Sequence, residues 1–315
     1  SPVYGSDDRI IFSSDRPRDG QAHLYPQLDE YEEAPTVTGL WSLNPISGDL
    51  FLLNHAPSGA FTPRVDSFGR VVFTRWDHLQ RDQQADADRA GAADYGTFNY
   101  SDESAGARAT ADRSEFFPEP RQTLGRISGH RFNQFFPWQI RQDGSEEETL
   151  NHVGRQELSG YGTQSFLDDA NLVECCAVDI RFNRQRLAND SLLQMREDPL
   201  RAGRFVGTSA PEFGTHAAGQ LVSLDGAPSV NADHMAVLDL TAPATAFARD
   251  DGQPADPAHS GLYRDPLPLS DGRLVATHAG DARADRNEGS AQSPRSRYDF
   301  RLRLVTADAR GVYRA

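Results

Sequence analysis

Four times along the chain, a polar turn leads through arginine into a short unbroken apolar run and then a polar cluster. The copies are "DDRIIFSSDRP" (7–17), "SFGRVVFTRWD" (67–77), "RAGRFVGTSAP" (201–211) and "SDGRLVATHAG" (270–280). Each apolar run (Ile10, Ile11, Phe12; Val71, Val72, Phe73; Phe205, Val206; Leu274, Val275) is too short for a helix and suits a buried strand. A second pattern follows in "TGLWSLNPISGDLFLLNHAP" (38–57), "FFPWQIRQDGSEEETLNHVG" (135–154), "GQLVSLDGAPSVNADHMAVLDLT" (219–241) and "FRLRLVTADARGVYRA" (300–315). Here two apolar runs flank a tight turn at Asn44–Gly48, Gln142–Gly144, Asp225–Gly226 or Asp308–Gly311, which marks a hairpin. Inner strand plus outer hairpin, repeated radially, predicts an all-β chain: a β-propeller of four-stranded antiparallel blades with long polar inserted loops. Residues 1–315 read as a single propeller or a propeller fragment, with insertions at about 81–122, 248–261 and 280–297. The first insertion has room for one short helix. Residues 155–200 are predicted to add strands or a short helix at 190–197.

The repeated units resemble the TolB-like, WD40-like propeller repeats of secreted and periplasmic bacterial proteins, a pattern carried best by "RIIFSSDRPRDGQAHLY" (9–25) with "LWSLNPISGDL" (40–50). More narrowly, "FTRWDH", "PWQIRQDGSEEETLNHVGRQEL", "APEFGTHAAGQLVSLDGAP" and "YRDPLPLSDGRLVATHAG" resemble the propeller region of proteins related to the hydrazine synthase alpha subunit. The resemblance implies a periplasmic or extracellular propeller of about six or more blades. Four units fall short of such a ring, so residues 155–200, a longer chain or a protein partner would complete it. The related enzyme's chemistry depends on c-type haems outside its propeller. This chain has no C-x-x-C-H, so it attaches no covalent c-type haem and hydrazine synthesis does not carry over.

Composition narrows the partners. Charged residues make up 25% of the chain and the net charge is −14, against the basic face that nucleic-acid phosphates require. All 32 basic residues are arginine, which reads as codon usage in a GC-rich genome before it reads as dense anion binding. No apolar run approaches the roughly 18–20 residues of a transmembrane segment. The opening "SPVYGSDDR" lacks a charged-then-apolar leader, as expected of a mature form, a fragment or a cytosolic chain. Cys175 and Cys176 are adjacent; a bond between them would close a strained ring with little entropic gain, and two reduced thiols on opposite strand faces are expected.

Superposing the four units places polar residues just beyond each strand: Asp15 and Arg16; Arg75, Asp77 and His78; Glu212 and His216; His278 and Asp281. In a propeller these positions converge at the channel mouth, where imidazoles and carboxylates could bind Zn or Ca or form an acid–base pair. His78, His216 and His278 are the metal candidates. The competing reading is that Asp15, Arg16, Arg75 and Asp77 tie neighbouring blades together through charge-assisted hydrogen bonds. Trp41, Trp76 and Trp138 are expected to pack between strands. "LNHVGRQEL" (150–158) places His152 before Arg155 and Glu157 without forming H-E-x-x-H, and no G-x-S-x-G is present. The expected function is a binding or scaffold module of a larger protein or complex. The alternative is a metal- or haem-associated redox subunit.

Overall fold

In the computed structural model, the described residues are 2–14, 16, 38–54, 59–78, 97–99, 114–116, 133–150, 189, 191–211, 214–230, 235–249, 253–254, 256–285 and 296–315. They form four four-stranded antiparallel sheets, each a simple meander. The first holds β1 (Val3–Tyr4), β2 (Ile10–Ser14), β3 (Gly39–Leu43) and β4 (Leu50–Leu52). The second begins with β5 (Ala60–Val65) and β6 (Arg70–His78). Inside the long insertion that follows, β7 (Thr97–Asn99) and β8 (Ser114–Phe116) pair in parallel where the sequence predicts only loop and a short helix. The second sheet then resumes with β9 (Asn133–Arg141) and β10 (Glu148–Thr149). The third is β11 (Leu192–Asp198), β12 (Arg201–Ser209), β13 (Gln220–Asp225) and β14 (Val237–Asp239). The fourth is β15 (Leu262–Pro268), β16 (Leu274–Ala279), β17 (Arg301–Ala307) and β18 (Tyr313–Arg314). Of the two options for 190–197, the strand is the one that forms.

The repeated arginine-led unit builds β2, β6, β12 and β16, the second strand of each sheet rather than its innermost one. Its unbroken apolar run follows from burial on both faces. Ile11 joins Val71 and Phe73 in the core between sheets 1 and 2. Val72 and Phe205 meet between sheets 2 and 3. Val206 and Leu274 meet between sheets 3 and 4. In each adjacent pair one residue faces back and the next faces forward, as the two-residue period of a strand dictates.

The first strands β5, β11 and β15 approach one another and so line the side on which the sheets converge. All three are bulged at the same place. Pairing with the second strand skips two residues between Phe61 and Arg64, Leu193 and Arg196, and Arg264 and Leu267. The first skipped residue has positive φ each time: Thr62 (51°), Gln194 (58°) and Asp265 (49°).

Polar turns rivet neighbouring sheets. Arg70 donates to the buried carboxylate of Asp66 (2.7 Å), to Gln139 (2.6 Å) and to the Gly226 carbonyl of the third sheet (2.9 Å). Glu197 accepts from the Ser67 N–H (2.6 Å) and hydroxyl (2.8 Å) across the same boundary. Gln142 joins Ser6 of the first sheet to Gly69 of the second. Among the described residues, no packing of comparable extent joins the fourth sheet back to the first.

Candidate functional site

The loops after β12 and β16 bring together a cluster around His216. Its Nε2–H donates to Asp285 Oδ2 at 3.2 Å, and the Asp285 side chain is only 5% exposed. Asp285 Oδ2 also accepts the Arg297 N–H (2.7 Å), while the Arg297 guanidinium reaches Asp281 (3.4 Å). Tyr298 stands edge-on to the imidazole, with ring centroids 5.5 Å apart. Its hydroxyl hydrogen is shared between the Gly214 carbonyl (2.8 Å) and the Arg283 carbonyl (2.6 Å). Burial, the largest influence, pushes the Tyr298 phenol up to about 12. Arg264, on the inner strand β15, donates to the His216 carbonyl and lies over the Phe300 ring, tying the loop cluster to the inner wall. Chemically, the cluster offers an imidazole oriented by a buried carboxylate, with Nδ1 making no hydrogen bond among the described residues and so open to a ligand.

The other expected site residues stand in different settings. His278 sits within β16; its Nε2–H donates to the Ser260 carbonyl (2.7 Å) and its ring packs on Tyr263 at 4.6 Å. Burial lowers its pKa and outweighs the opposing effect of that hydrogen bond. Asp281 accepts from the Arg283 main chain and guanidinium, which with Arg297 hold its carboxyl below the usual range. Arg75 pairs with Glu147 (2.9 Å) and lies 4.2 Å over Trp138, while Glu147 also accepts from Asn54 of the first sheet. Arg75, Glu147 and Trp138 all belong to the second sheet and its β9–β10 turn, and the bond from Asn54 to Glu147 is the one that reaches the first. Arg16 lies over Phe12 (5.4 Å) and Trp41 (6.0 Å), and Trp41 is buried. Trp76 stacks on Phe135 at 5.7 Å.

Asp15, Glu212, Cys175, Cys176, His152, Arg155 and Glu157 lie outside the described residues, as do the side chains of Asp77 and His78. The spacing of the strand-end residues therefore unites His216 with Asp281, through Asp285 and Arg297, and places His278 and Arg75 elsewhere. Among the described residues, no three His, Cys, Asp or Glu side chains gather to hold a metal ion. Sequence reasoning missed Asp285, Arg297 and Tyr298, which fall in or beside the polar insertion 280–297; "RYDF" at its end was the available signal.

At the other end of the sheets a cleft of about 910 Å³ opens among the turns, lined by Arg9, Phe68, Arg70, Arg141 and Glu146 among others. Its guanidiniums are already committed: Arg9 to Asp49, Arg70 to Asp66 and Arg141 to Glu146.

No family model and no curated protein matches the sequence. Among solved structures, hydrazine synthase of Kuenenia stuttgartiensis is similar at 13% identity and a TM-score of 0.46, over 98% of this chain and 27% of that chain. An alpha-L-arabinofuranosidase from Lactobacillus brevis is similar at 8% identity and a TM-score of 0.38, over 99% of this chain and 73% of that one. The chain thus spans about a quarter of the length of the hydrazine synthase chain.

Proposed function

We propose that this chain is an extracytoplasmic β-propeller module that binds and positions other protein, its fourth blade serving as the platform for a further sheet. One observation carries the reading. In the repeated pairs Ile10–Ile11, Val71–Val72, Phe205–Val206 and Leu274–Val275, the second residue faces the next sheet, and Ile11, Val72 and Val206 each fill a core there. Val275 has the same orientation, and among the described residues no sheet packs on that side of it. It stands in register with Leu267 and Leu304, next to a row of Arg264, Thr277 and Leu302. Leu302 is 77% exposed and Leu304 46%, in a strand that pairs with β18 only at Thr306 and Ala307. A face patterned for burial and left open, beside an unpaired strand edge, fits an antiparallel sheet of the same kind as its occupant. That sheet belongs to the rest of a longer protein or to another subunit; the resemblance to periplasmic propeller repeats supports an exported setting.

The test is a Leu302→Glu, Leu304→Glu double variant in the native host. The expected result is loss of co-purification with the chain's native assembly, with the melting temperature of the isolated chain unchanged because both side chains are exposed. Retained assembly would overturn the reading.

A second reading, a metal-associated redox subunit, is favoured by the His216–Asp285 pair, since a carboxylate that orients an imidazole is a common support for a metal ligand. Elemental analysis with an ultraviolet–visible spectrum of the natively purified protein decides between them. A stoichiometric metal or haem that is lost in His216→Ala would establish the redox reading.

A further inference from the structure

The convergent inner wall carries a charge arrangement that neither reading uses. Arg64 and Arg196 occupy the same position on neighbouring first strands, each two residues beyond the positive-φ bulge residue, Thr62 or Gln194. Both are half-buried. The next first strand is bonded to this point, because the Asp265 N–H donates to Gln194 Oε1 at 2.7 Å. Charges from three consecutive sheets meet here: Arg196 repels Arg64 and Asp265 attracts it, while burial, the largest influence, also lowers the Arg64 pKa.

Among the described residues, neither guanidinium is neutralised by a direct partner. Arg64 donates from Nη1 to the neighbouring Pro63 carbonyl (2.7 Å) and forms no ion pair among the described residues. Arg196 makes no hydrogen bond or ion pair there. The nearby carboxylate of Asp265 is engaged by Arg264 at 2.8 Å. Two guanidinium groups, half out of water and close enough to repel each other, lose solvation, and Arg64 recovers only the Pro63 carbonyl and the attraction of an Asp265 already engaged by Arg264. An oxyanion seated between them would supply the missing acceptors and reverse the repulsion. With a net charge of −14 the protein as a whole repels anions, so affinity for one must come from a local site such as this.

We infer that Arg64 and Arg196 form a binding site for a small doubly charged oxyanion, a dicarboxylate or a phosphate, on the inner wall where the first strands of sheets 2 and 3 converge. The site is independent of the assembly surface on β17, so Leu302→Glu, Leu304→Glu leaves it intact.

The experiment is a thermal-shift and calorimetric titration of the purified chain with malonate and with inorganic phosphate at constant ionic strength. Saturable stabilisation with a Kd of about 1 mM or tighter is expected. Arg64→Gln or Arg196→Gln should weaken it about 10- to 100-fold, the worth of one set of charge-assisted bonds. Arg196→Lys, which keeps the charge and loses the fork, should fall between wild type and Arg196→Gln. Without anion, Arg196→Gln should melt no lower than wild type, because it removes one of two repelling charges; a structural tether would lose stability. Saturation by one probe alone upholds the site and identifies its class. No saturable response to either probe, or an equal response in wild type and both glutamine variants, overturns it.

Discussion

Replacing Arg70 with alanine removes the rivet between the second and third sheets, and its effect can be worked from the contacts. Arg70 spans three acceptors: the Asp66 carboxylate, the Gln139 side chain and the Gly226 carbonyl. The Asp66 side chain is 1% exposed and keeps, after the substitution, only the main-chain N–H donors of Phe68 and of residue 70. Removing one partner of a buried ion pair costs about 3–5 kcal/mol, and the two remaining amides place this case near 3 kcal/mol. At about 2–4 °C per kcal/mol for a chain of this size, the melting temperature should fall by about 6–12 °C. Urea unfolding of Arg70→Ala, Asp66→Ala and the double variant gives the coupling. The double variant should be less destabilised than the sum of the singles by about 1–2 kcal/mol, because Arg70→Ala strands a buried charge that Asp66→Ala removes. A loss below about 0.5 kcal/mol for Arg70→Ala, or additive singles, would refute the rivet.

Three further outcomes follow from named groups. His278 and His259 both have pKa values lowered chiefly by burial, so the unfolded chain binds their protons more readily. Their contribution to stability is therefore present above about pH 6.5 and lost as pH falls below it; melting temperatures from pH 7.5 to 5 should decline, and less steeply in His278→Gln. The raised Tyr298 pKa, about 12 against 10.0, predicts one tyrosine that stays protonated past pH 11 in an absorbance titration, a step missing from Tyr298→Phe. That variant also forfeits the bond to Gly214 and Arg283, at a cost of about 1 kcal/mol in urea unfolding. Gly261 has φ of 104°, and a Cβ there would lie 2.3 Å from both the Ala279 carbonyl oxygen and His278 Nε2. Gly261→Ala should cost about 3 kcal/mol or more in the same assay; full wild-type stability would show that this approach is not enforced.

The four-sheet plan was legible because the second strands are buried on both faces, so Val71–Val72 or Phe205–Val206 announces a strand without alternation. Hairpins were legible through turn chemistry, as in the Asn44–Gly48 turn, closed by the Gly48 N–H on the Asn44 carbonyl. The first strands were not. In "AFTPRV", "LLQMRED" and "LYRDPLP" two bulged residues break the period, and proline at 63 and 266 argues against a paired strand. That loss hid the inner wall, including Arg64 and Arg196, and led the repeated unit to be placed innermost. The site was half legible: His216 and Asp281 stood out as strand-end residues. Asp285 and Tyr298 did not, because a partner across a polar insertion has no spacing to betray it.

Amide hydrogen exchange across β17, Arg301–Ala307, compared between the isolated chain and the protein in its native assembly, bears most directly on the platform proposed for the fourth sheet. Among the described residues the strand edge is unpaired beyond Thr306 and Ala307, so in the isolated chain the amides along that edge should exchange quickly. In the assembly they should be protected. Equal, rapid exchange in both states would show that no sheet covers this face and would contradict the account.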